Sequence, residues 1–148
     1  MTTSEPIIVE KTFSATPEKI WQALTNKEQM KLWYFDLAEF KPERGFEFWF
    51  KGGDESRTFT HICQVTEVIE QKKLAYSWRY EGYEGDSLVT FELFPEGERT
   101  RLKLTHSGLE TYPANEPALG KANFVKGWNH IIGNSLQDFL KVAPVINQ

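Results

Sequence analysis

The sequence predicts one α+β domain, in which a curved antiparallel sheet carries a long C-terminal helix across its concave face. Three observations lead to this fold class. Apolar and polar residues alternate through the middle of the 148-residue chain, which is typical of half-buried strands. Two short helical patterns follow the first predicted strand, and the last third of the chain has helical periodicity. We expect residues 1–148 to form this single domain.

The first part of the chain predicts a strand and then two short helices. Residues 7–14 alternate and form the strand. Thr16 is a capping residue, and Pro17 occupies the first helical position, where its missing N–H loses no hydrogen bond. Asn26 is a second capping residue and opens another short helix through about Leu32.

The next part of the chain predicts a meander of about five or six strands joined by short loops, which indicates antiparallel pairing. The helical connection after the first strand predicts that this strand closes the far side of the sheet. The alternation assigns one set of residues to the inner face. These are Phe46, Phe48, Phe50, Phe59, His61, Cys63, Val65, Leu74, Tyr76, Trp78, Tyr80, Val89, Phe91, Leu93, Leu102, Leu104 and His106.

The C-terminal helix is predicted to continue to about Val142. Its apolar residues cover close to half of its circumference, which is wider than a surface helix needs. They are Phe124, Val125, Trp128, Ile131, Ile132, Leu136, Phe139 and Leu140. We therefore expect a curved sheet to grip this helix and to leave a hollow beside it.

The chain contains 11 Phe, 5 Trp and 5 Tyr. Rings are bulky and pack with gaps, so this excess favours a lined cavity between the sheet and the helix. An aromatic-rich core without a ligand would give the same composition. Both interpretations stay open at the level of the sequence.

Charge and composition disfavour several classes of partner. The net charge is -4 and the pI is near 5.4, whereas nucleic-acid binders normally carry a basic stripe. The one cysteine, Cys63, excludes an intrachain disulfide. The N-terminal residues do not resemble a signal peptide, and no apolar run reaches the length of a membrane span. We expect a cytoplasmic protein.

An ordered set of motifs resembles a known family. A strand, a small residue, Pro and a Trp-containing helix lie in residues 13–25, and Leu32-Trp33 follows. A central hairpin lies in residues 63–78, the segment 97–109 is the strongest match, and Gly127-Trp128 opens the final helical signature. With these motifs the chain resembles the START-like superfamily, also called Bet v 1-like or SRPBCC, which has the helix-grip fold. Within it, the chain is most similar to the domain of activator of Hsp90 ATPase homologue 1.

The sequence departs from the family pattern at turn and packing positions. Arg44-Gly45 replaces a glycine pair, Cys63 replaces a strand glycine, and Glu70-Gln71 replaces a Pro-Pro turn. These changes leave the predicted fold intact. They argue against transferring the activity of any one subfamily.

The resemblance implies three alternative functions. Many members bind a small hydrophobic molecule, such as a lipid, a sterol or a polyketide, in the cavity between sheet and helix. The eukaryotic namesake stimulates a chaperone ATPase, and a chaperone-associated protein would need an exposed patch, for which Trp49, Leu88 and Phe94 have the right alternation. A few members are cyclases or hydrolases of aromatic or polyketide substrates. We expect no cofactor and leave open the choice between monomer and homodimer.

The predicted ligand pocket combines inward residues of the sheet with residues of the final helix. It comprises Phe48, Phe50, Phe59, His61, Tyr76, Trp78, Tyr80, Phe91, Leu104, His106, Phe124, Trp128, Ile131 and Ser135.

Five polar members of this set matter most, namely His61, Tyr76, Tyr80, His106 and Ser135. Buried polar groups need partners, so they either bond each other or the backbone, or orient a ligand. His106 has a structural interpretation as a histidine bonded to a backbone carbonyl, and Ser135 as a serine bonded to its own helix. In an enzyme, acid–base catalysis would fall to His106, His61 or Tyr76.

Two further sets of reactive residues give weaker evidence for a functional site. Ser135, His106 and Asp138 contain the residue types of a catalytic triad, but Ser135 and Asp138 share one helix and nothing orients them. His61 and Cys63 lie two residues apart on one strand face, and with His106 they would suit zinc. We predict neither a catalytic set nor a metal site.

Overall fold

The computed structural model describes residues 5–34, 37, 39–53, 58–112 and 119–140. The order of elements is the predicted one. It runs β1 (Ile7–Phe13), α1 (Pro17–Thr25), α2 (Lys27–Trp33), β2 (Glu47–Gly53), β3 (Thr58–Ile69), β4 (Lys73–Tyr80), β5 (Ser87–Glu96), β6 (Arg99–Ser107), a 3-10 turn (Leu109–Thr111) and α3 (Lys121–His130), which continues into further helix.

The six strands form one curved antiparallel sheet in the order β1-β6-β5-β4-β3-β2. The prediction that the first strand closes the far side is confirmed, because β1 pairs with β6. Ile7 lies opposite His106, and Phe13 lies opposite Thr100. The two edges of the sheet in the described residues are therefore β1 and β2.

Both predicted helix caps are confirmed. The backbone N–H of Lys19 donates to Thr16 Oγ1 at 3.2 Å, and that of Gln29 donates to Asn26 Oδ1 at 3.1 Å. Each bond satisfies an N–H that the first helical turn leaves without a partner. The two short helices therefore begin at the predicted residues.

The C-terminal helix occupies residues 121–140 and changes its winding in the middle. The α-helical part, α3, is followed by a π-helical segment at Ile131–Leu136 and by one more α-helical turn. The sequence did not predict the π segment, and the predicted end at Val142 lies outside the described residues. The apolar arc is narrower than predicted, since Val125 is exposed. No helix in the described ranges combines the length and the apolar character that a membrane span requires.

The predicted alternation in the strands is confirmed. The buried members of the inward set are Phe48, Phe50, His61, Cys63, Val65, Leu74, Tyr76, Trp78, Tyr80, Val89, Phe91, Leu93, Leu102, Leu104 and His106. Phe46 and Phe59 are only half-buried. The core thus lies between the concave face of the sheet and the helices, where the candidate site was expected.

Candidate ligand-binding interior

A wall of aromatic rings covers the concave face across β2, β4 and β5. The ring centroids of Phe48 and Tyr76 are 5.0 Å apart, those of Phe50 and Trp78 are 5.6 Å apart, and those of Tyr76 and Phe91 are 5.9 Å apart. Such spacings are those of rings in direct contact. The side chains of this wall therefore support one another as well as facing inward.

The C-terminal helix adds rings to the same interior. Trp128 lies 5.4 Å from Trp78 and 6.1 Å from Phe91, measured between ring centroids. Phe124 lies 5.0 Å from the imidazole of His106. Sheet and helix therefore direct their rings into one shared space, as the sequence predicted.

His106 occupies the centre of a buried polar network. The indole Nε1–H of Trp128 donates to His106 Nδ1 at 2.9 Å. Because an indole N–H only donates, Nδ1 must be the unprotonated nitrogen. The proton is then on Nε2, which lies 2.8 Å from Ser87 Oγ and donates to it. The two bonds fix one neutral tautomer of His106.

The network continues from Ser87 to the backbone of β4. Ser87 Oγ donates to the carbonyl oxygen of Trp78 at 2.9 Å. The hydroxyl of Tyr112 lies 2.6 Å from Ser87 Oγ and donates to the same carbonyl. The path thus joins the final helix, β6, β5, β4 and the turn that follows β6.

Burial keeps His106 neutral and unavailable as a base. Its side chain is fully buried, and desolvation lowers its pKa from 6.5 to about 3. A histidine that activates a nucleophile must face it with an unprotonated ring nitrogen, whereas the nitrogen of His106 that faces Ser87 carries the proton. The pair of Ser87 and His106 therefore lacks the chemistry of a serine nucleophile.

A second polar contact lies between two tyrosine hydroxyls. The hydroxyls of Tyr34 and Tyr76 are 2.7 Å apart. Desolvation raises the pKa of both phenols well above the usual value, and the neighbouring tyrosine raises that of Tyr34 further. The rings of Tyr34 and Trp128 are 6.3 Å apart. This pair of neutral hydroxyls therefore lies beside the helix inside the aromatic interior.

His61 is enclosed by rings. It stacks on Phe50 at 4.5 Å and lies 5.1 Å from Trp78 and 4.7 Å from Tyr80, between centroids. Its Nδ1 lies 3.1 Å from the carbonyl oxygen of Phe59. Desolvation lowers the pKa of His61 from 6.5 to about 4 and outweighs the opposing backbone hydrogen bonds to Phe59 and Phe50.

The hydroxyl of Tyr80 also has a hydrogen-bond partner in the interior. Its hydroxyl accepts a hydrogen bond from Trp78 Nε1 at 2.8 Å. Desolvation raises the pKa of Tyr80, and the bond from Trp78 opposes that shift. No buried side-chain nitrogen or oxygen in the described part of the chain lacks a hydrogen-bond partner. Tyr76, Tyr80 and His106 therefore have protein partners, but these are side chains outside the predicted polar set: Tyr34 for Tyr76, Trp78 for Tyr80, and Ser87 and Trp128 for His106. The expected bond from His106 to a backbone carbonyl is wrong, because both of its ring nitrogens bond side chains.

The remaining predicted pocket residues lie at different depths. Leu104 is fully buried, while Phe59, Ile131 and Ser135 are half-buried. Phe59 contacts Tyr83 at 5.6 Å between centroids. The expected bond from Ser135 to its own helix is absent, because its hydroxyl makes no hydrogen bond within the described residues.

The loop after β6 is anchored at its start. Thr111 Oγ1 donates to the carbonyl oxygen of Asp86 and accepts from the Asp86 N–H, both at 2.9 Å. A Cβ on Gly85 would lie 2.5 Å from Tyr112 Cδ1, so only glycine fits beside that ring. The loop is therefore fixed as far as Tyr112, and residues 113–118 lie outside the described ones.

Sequence reasoning missed four residues of this interior, namely Tyr34, Phe40, Ser87 and Tyr112. Ser87 has the same alternation as Val89, so extending β5 by one pair of residues would have included it. The other three lie in irregular segments, where neither the strand period nor the helix period applies.

Cys63 behaves as a buried apolar residue. It is 1% exposed, and desolvation raises the pKa of its thiol. In the ranges that the structure describes, no three His, Cys, Asp or Glu side chains converge on one point.

A separate groove lies on the outer face of β2 and β3, outside the aromatic interior. Its volume is about 540 Å³, and its lining includes Trp49, Thr60, Ile62 and Glu81. Trp49 is 55% exposed. The groove is thus a surface feature beside an edge strand.

The chain resembles known proteins in its sequence as well as in its fold. Residues 14–141 match the sequence model of the family described as Activator of Hsp90 ATPase homolog 1-like protein. The chain belongs to this family. The predicted resemblance is therefore confirmed. No curated protein matches the sequence.

Solved structures show that the fold of this family member is the helix-grip fold. Protein MLL2253 from Mesorhizobium loti is 28% identical, with a TM-score of 0.74, 93% of this chain covered and 97% of that chain. DynU16, a protein in the dynemicin biosynthetic locus, is 20% identical with a TM-score of 0.77 over 95% of this chain, which spans only 48% of DynU16. The Aha1 dimer from Colwellia psychrerythraea is 22% identical, with a TM-score of 0.66 and coverage of 91% and 95%.

Proposed function

We propose that this protein binds a small, mostly apolar molecule between the concave face of the sheet and the C-terminal helix. The observation that carries the proposal is the meeting of rings from both sides, with Trp78 and Trp128 5.4 Å apart. Ring faces and edges offer a flat apolar ligand favourable stacking as well as burial. A ring system of the ligand would lie among these side chains and displace contacts between them.

The pair of Tyr34 and Tyr76 supports a ligand with one polar group. Two neutral hydroxyls 2.7 Å apart can each donate or accept a hydrogen bond. A hydroxyl or carbonyl on the ligand would bond to one of them in place of their mutual bond. An apolar body with a single oxygen is therefore the ligand chemistry that best suits this interior.

The C-terminal helix contains a segment whose movement would let a ligand enter. Its π-helical segment, Ile131–Leu136, interrupts the regular winding, and π turns within α-helices occur frequently at functional sites. At Gly133 no atom beyond the adjoining helix backbone and the two chain neighbours lies within 4 Å of the position that a Cβ would take. Local movement of this segment would admit a ligand without opening the sheet.

The proposal is tested by NMR with 2-naphthol, a two-ring phenol, and decanoate as a second probe. The five tryptophan indoles each give one N–H signal, so the molecule carries internal reporters. We expect saturable shifts of the Trp78 and Trp128 signals and none at the exposed Trp49. Shifts confined to Trp49, or no shift with either probe, would overturn the proposal.

A pair of matched variants tests the role of the hydroxyls. Tyr76→Phe removes the inner hydroxyl and keeps the ring, while Tyr83→Phe makes the same change at a half-buried position near Phe59. We expect Tyr76→Phe alone to weaken 2-naphthol binding, by about tenfold for one lost hydrogen bond. Equal affinities of the two variants would contradict the proposed orientation.

The structure supports the other two candidate functions less well. Trp49 and Leu88 are exposed, but β3 and β4 separate their strands, and the guanidinium of Arg101 lies 4.4 Å from the ring of Phe94. These residues do not make one continuous apolar patch for a chaperone. Catalysis by His106 is disfavoured because both of its nitrogens are engaged.

We also propose that the protein forms a homodimer. The likeness that supports it is to Aha1 from Colwellia psychrerythraea, whose solution structure is a dimer. Sedimentation equilibrium of the full chain tests it, and a monomer at every concentration would overturn it.

A further inference from the structure

We propose that the outer edge of β2 pairs antiparallel with β2 of a second copy of this chain, in a register centred on Trp49. This inference is separate from ligand binding and gives the proposed homodimer a specific surface. Two six-stranded sheets would join into one continuous sheet across a twofold axis. Three features of the segment Glu47–Lys51 lead to it.

The first feature is the direction of the backbone groups. The Val65 N–H donates to the carbonyl oxygen of Phe46 at 2.8 Å, so this carbonyl group of Phe46 points toward β3. Alternation along the strand then turns the N–H and C=O groups of Phe48 toward β3 as well and those of Trp49 away from it. The Gln64 N–H, which donates to Ser77 on β4 at 3.0 Å, fits this pattern.

The outer edge of β2 therefore presents the backbone groups of Glu47, Trp49 and Lys51. No strand among the described residues pairs with that edge. Unpaired edges are templates for pairing with another chain. A copy paired in the proposed register would provide hydrogen-bond partners for these backbone groups in both strands, and Trp49 would lie opposite Trp49 of the second copy.

The second feature is the charge pattern around Trp49. The twofold axis sets Glu47 opposite Lys51 of the second copy and Lys51 opposite its Glu47. All three side chains are exposed on the outer face, and neither charged one forms an ion pair within the described residues. Opposite charges directly across two strands stabilise pairing. The strand is thus electrostatically complementary to itself in this register.

The third feature is the groove of about 540 Å³ beside the strand, lined by Trp49, Thr60 and Ile62. In the paired arrangement the second indole would lie on the same outer face, next to Trp49 and at the groove. The contact would bury an indole that is 55% exposed in one chain. Aromatic cross-strand pairs add to the stability of a sheet.

A charge exchange tests the register in the full-length protein. Glu47→Lys and Lys51→Glu each create two like-charged pairs across the axis, whereas the double variant restores two opposite pairs. By sedimentation equilibrium we expect each single variant to raise the dimer Kd by about tenfold or more and the double variant to recover most of it. Glu43→Lys, which changes the charge equally at an exposed position before β2, should leave Kd unchanged.

A crosslink tests the register independently of the charges. In a hydrogen-bonded antiparallel pair, facing Cα atoms lie about 5.5 Å apart, within the range of a disulfide. Trp49→Cys should therefore form a disulfide-linked dimer on mild oxidation. Leu88→Cys, exposed on a central strand, should not.

The outcomes separate this surface from the other proposals. A wild-type monomer at all concentrations overturns both the surface and the homodimer. A dimer that neither single variant weakens overturns the surface and leaves the homodimer standing. Binding of 2-naphthol at the Trp78 and Trp128 indoles is independent of both results.

Discussion

The indole N–H of Trp128 on the C-terminal helix donates to Nδ1 of His106 on β6 at 2.9 Å, within the aromatic interior. This bond joins the helix to the sheet and fixes the protonation of the imidazole. It also turns the other imidazole nitrogen toward Ser87 as a donor. The residue that the sequence marked as a candidate acid or base therefore serves to hold the two layers together.

Replacing Trp128 with Phe should destabilise the protein. The change leaves His106 Nδ1 buried without a donor, and an unsatisfied buried acceptor costs about 1–3 kcal/mol. Val125→Ala, at an exposed position on the same helix, should change the free energy of unfolding by less than about 0.5 kcal/mol. Urea denaturation measures both, and equal stabilities of the two variants would refute the structural role of the bond.

Stability should fall as the pH drops below 6.5. Burial lowers the pKa of His106 to about 3 and that of His61 to about 4, so both stay neutral in the folded protein while the unfolded chain binds protons near pH 6.5. The folded state is therefore most stable above pH 6.5. Below pH 6.5, each of the two histidines lowers the free energy of unfolding by up to about 1.4 kcal/mol per pH unit.

The measurement is the free energy of unfolding in urea between pH 7.5 and pH 5, a range above most carboxylate titration. NMR of the imidazole carbons over the same range provides the control for assignment. A flat stability profile, or imidazole signals of His106 that titrate near pH 6.5, would show that the ring is solvated.

The hydroxyls of Tyr34 and Tyr76 should be energetically coupled. Tyr34→Phe removes the hydrogen bond to the buried Tyr76 hydroxyl, at a cost of about 1–3 kcal/mol, and Tyr76→Phe removes the same bond from the other side. The double variant removes both hydroxyls and should cost less than the sum of the single changes. A double-mutant cycle in urea measures the coupling, and strict additivity would mean that the bond of 2.7 Å contributes nothing.

The sequence predicted the fold and the aromatic wall because both follow from simple periods. Alternation placed Phe50, Trp78 and Leu104 inside, and the helical period placed Trp128 toward them. Polar partners were harder to predict, since hydrogen bonds such as those from Ser87 and Tyr112 to the carbonyl of Trp78 depend on three-dimensional distance rather than on spacing along the chain.

The π-helical segment Ile131–Leu136 was also not predicted. The buried residues of the helix are Phe124, Trp128, Ile132, Leu136 and Leu140, each four residues after the last. In a regular α-helix this spacing drifts by about 40° per step, so it was interpreted as a wide apolar arc rather than as a change of winding.

Gly85→Ala should destabilise the protein much more than Gly97→Ala. Both glycines have positive φ, at +112° and +68°, so both substitutions incur backbone strain. Only at Gly85 would the new Cβ also meet Tyr112 Cδ1 at 2.5 Å and the Thr111 carbonyl oxygen at 2.7 Å, whereas at Gly97 nothing lies within 4 Å.

We expect about 1 kcal/mol of destabilisation for Gly97→Ala and at least about 2 kcal/mol more for Gly85→Ala. Thermal or urea unfolding measures the difference. Similar losses for both variants would mean that the turn after β6 is not seated on Gly85 as described.

Binding of a ligand between sheet and helix is tested most directly by intermolecular NOEs from unlabelled 2-naphthol to isotope-labelled protein. The account predicts NOEs to ring protons of Phe91, Trp78 and Trp128, whose side chains meet inside the domain. NOEs only to Trp49 and Ile62, at the outer groove, would contradict it.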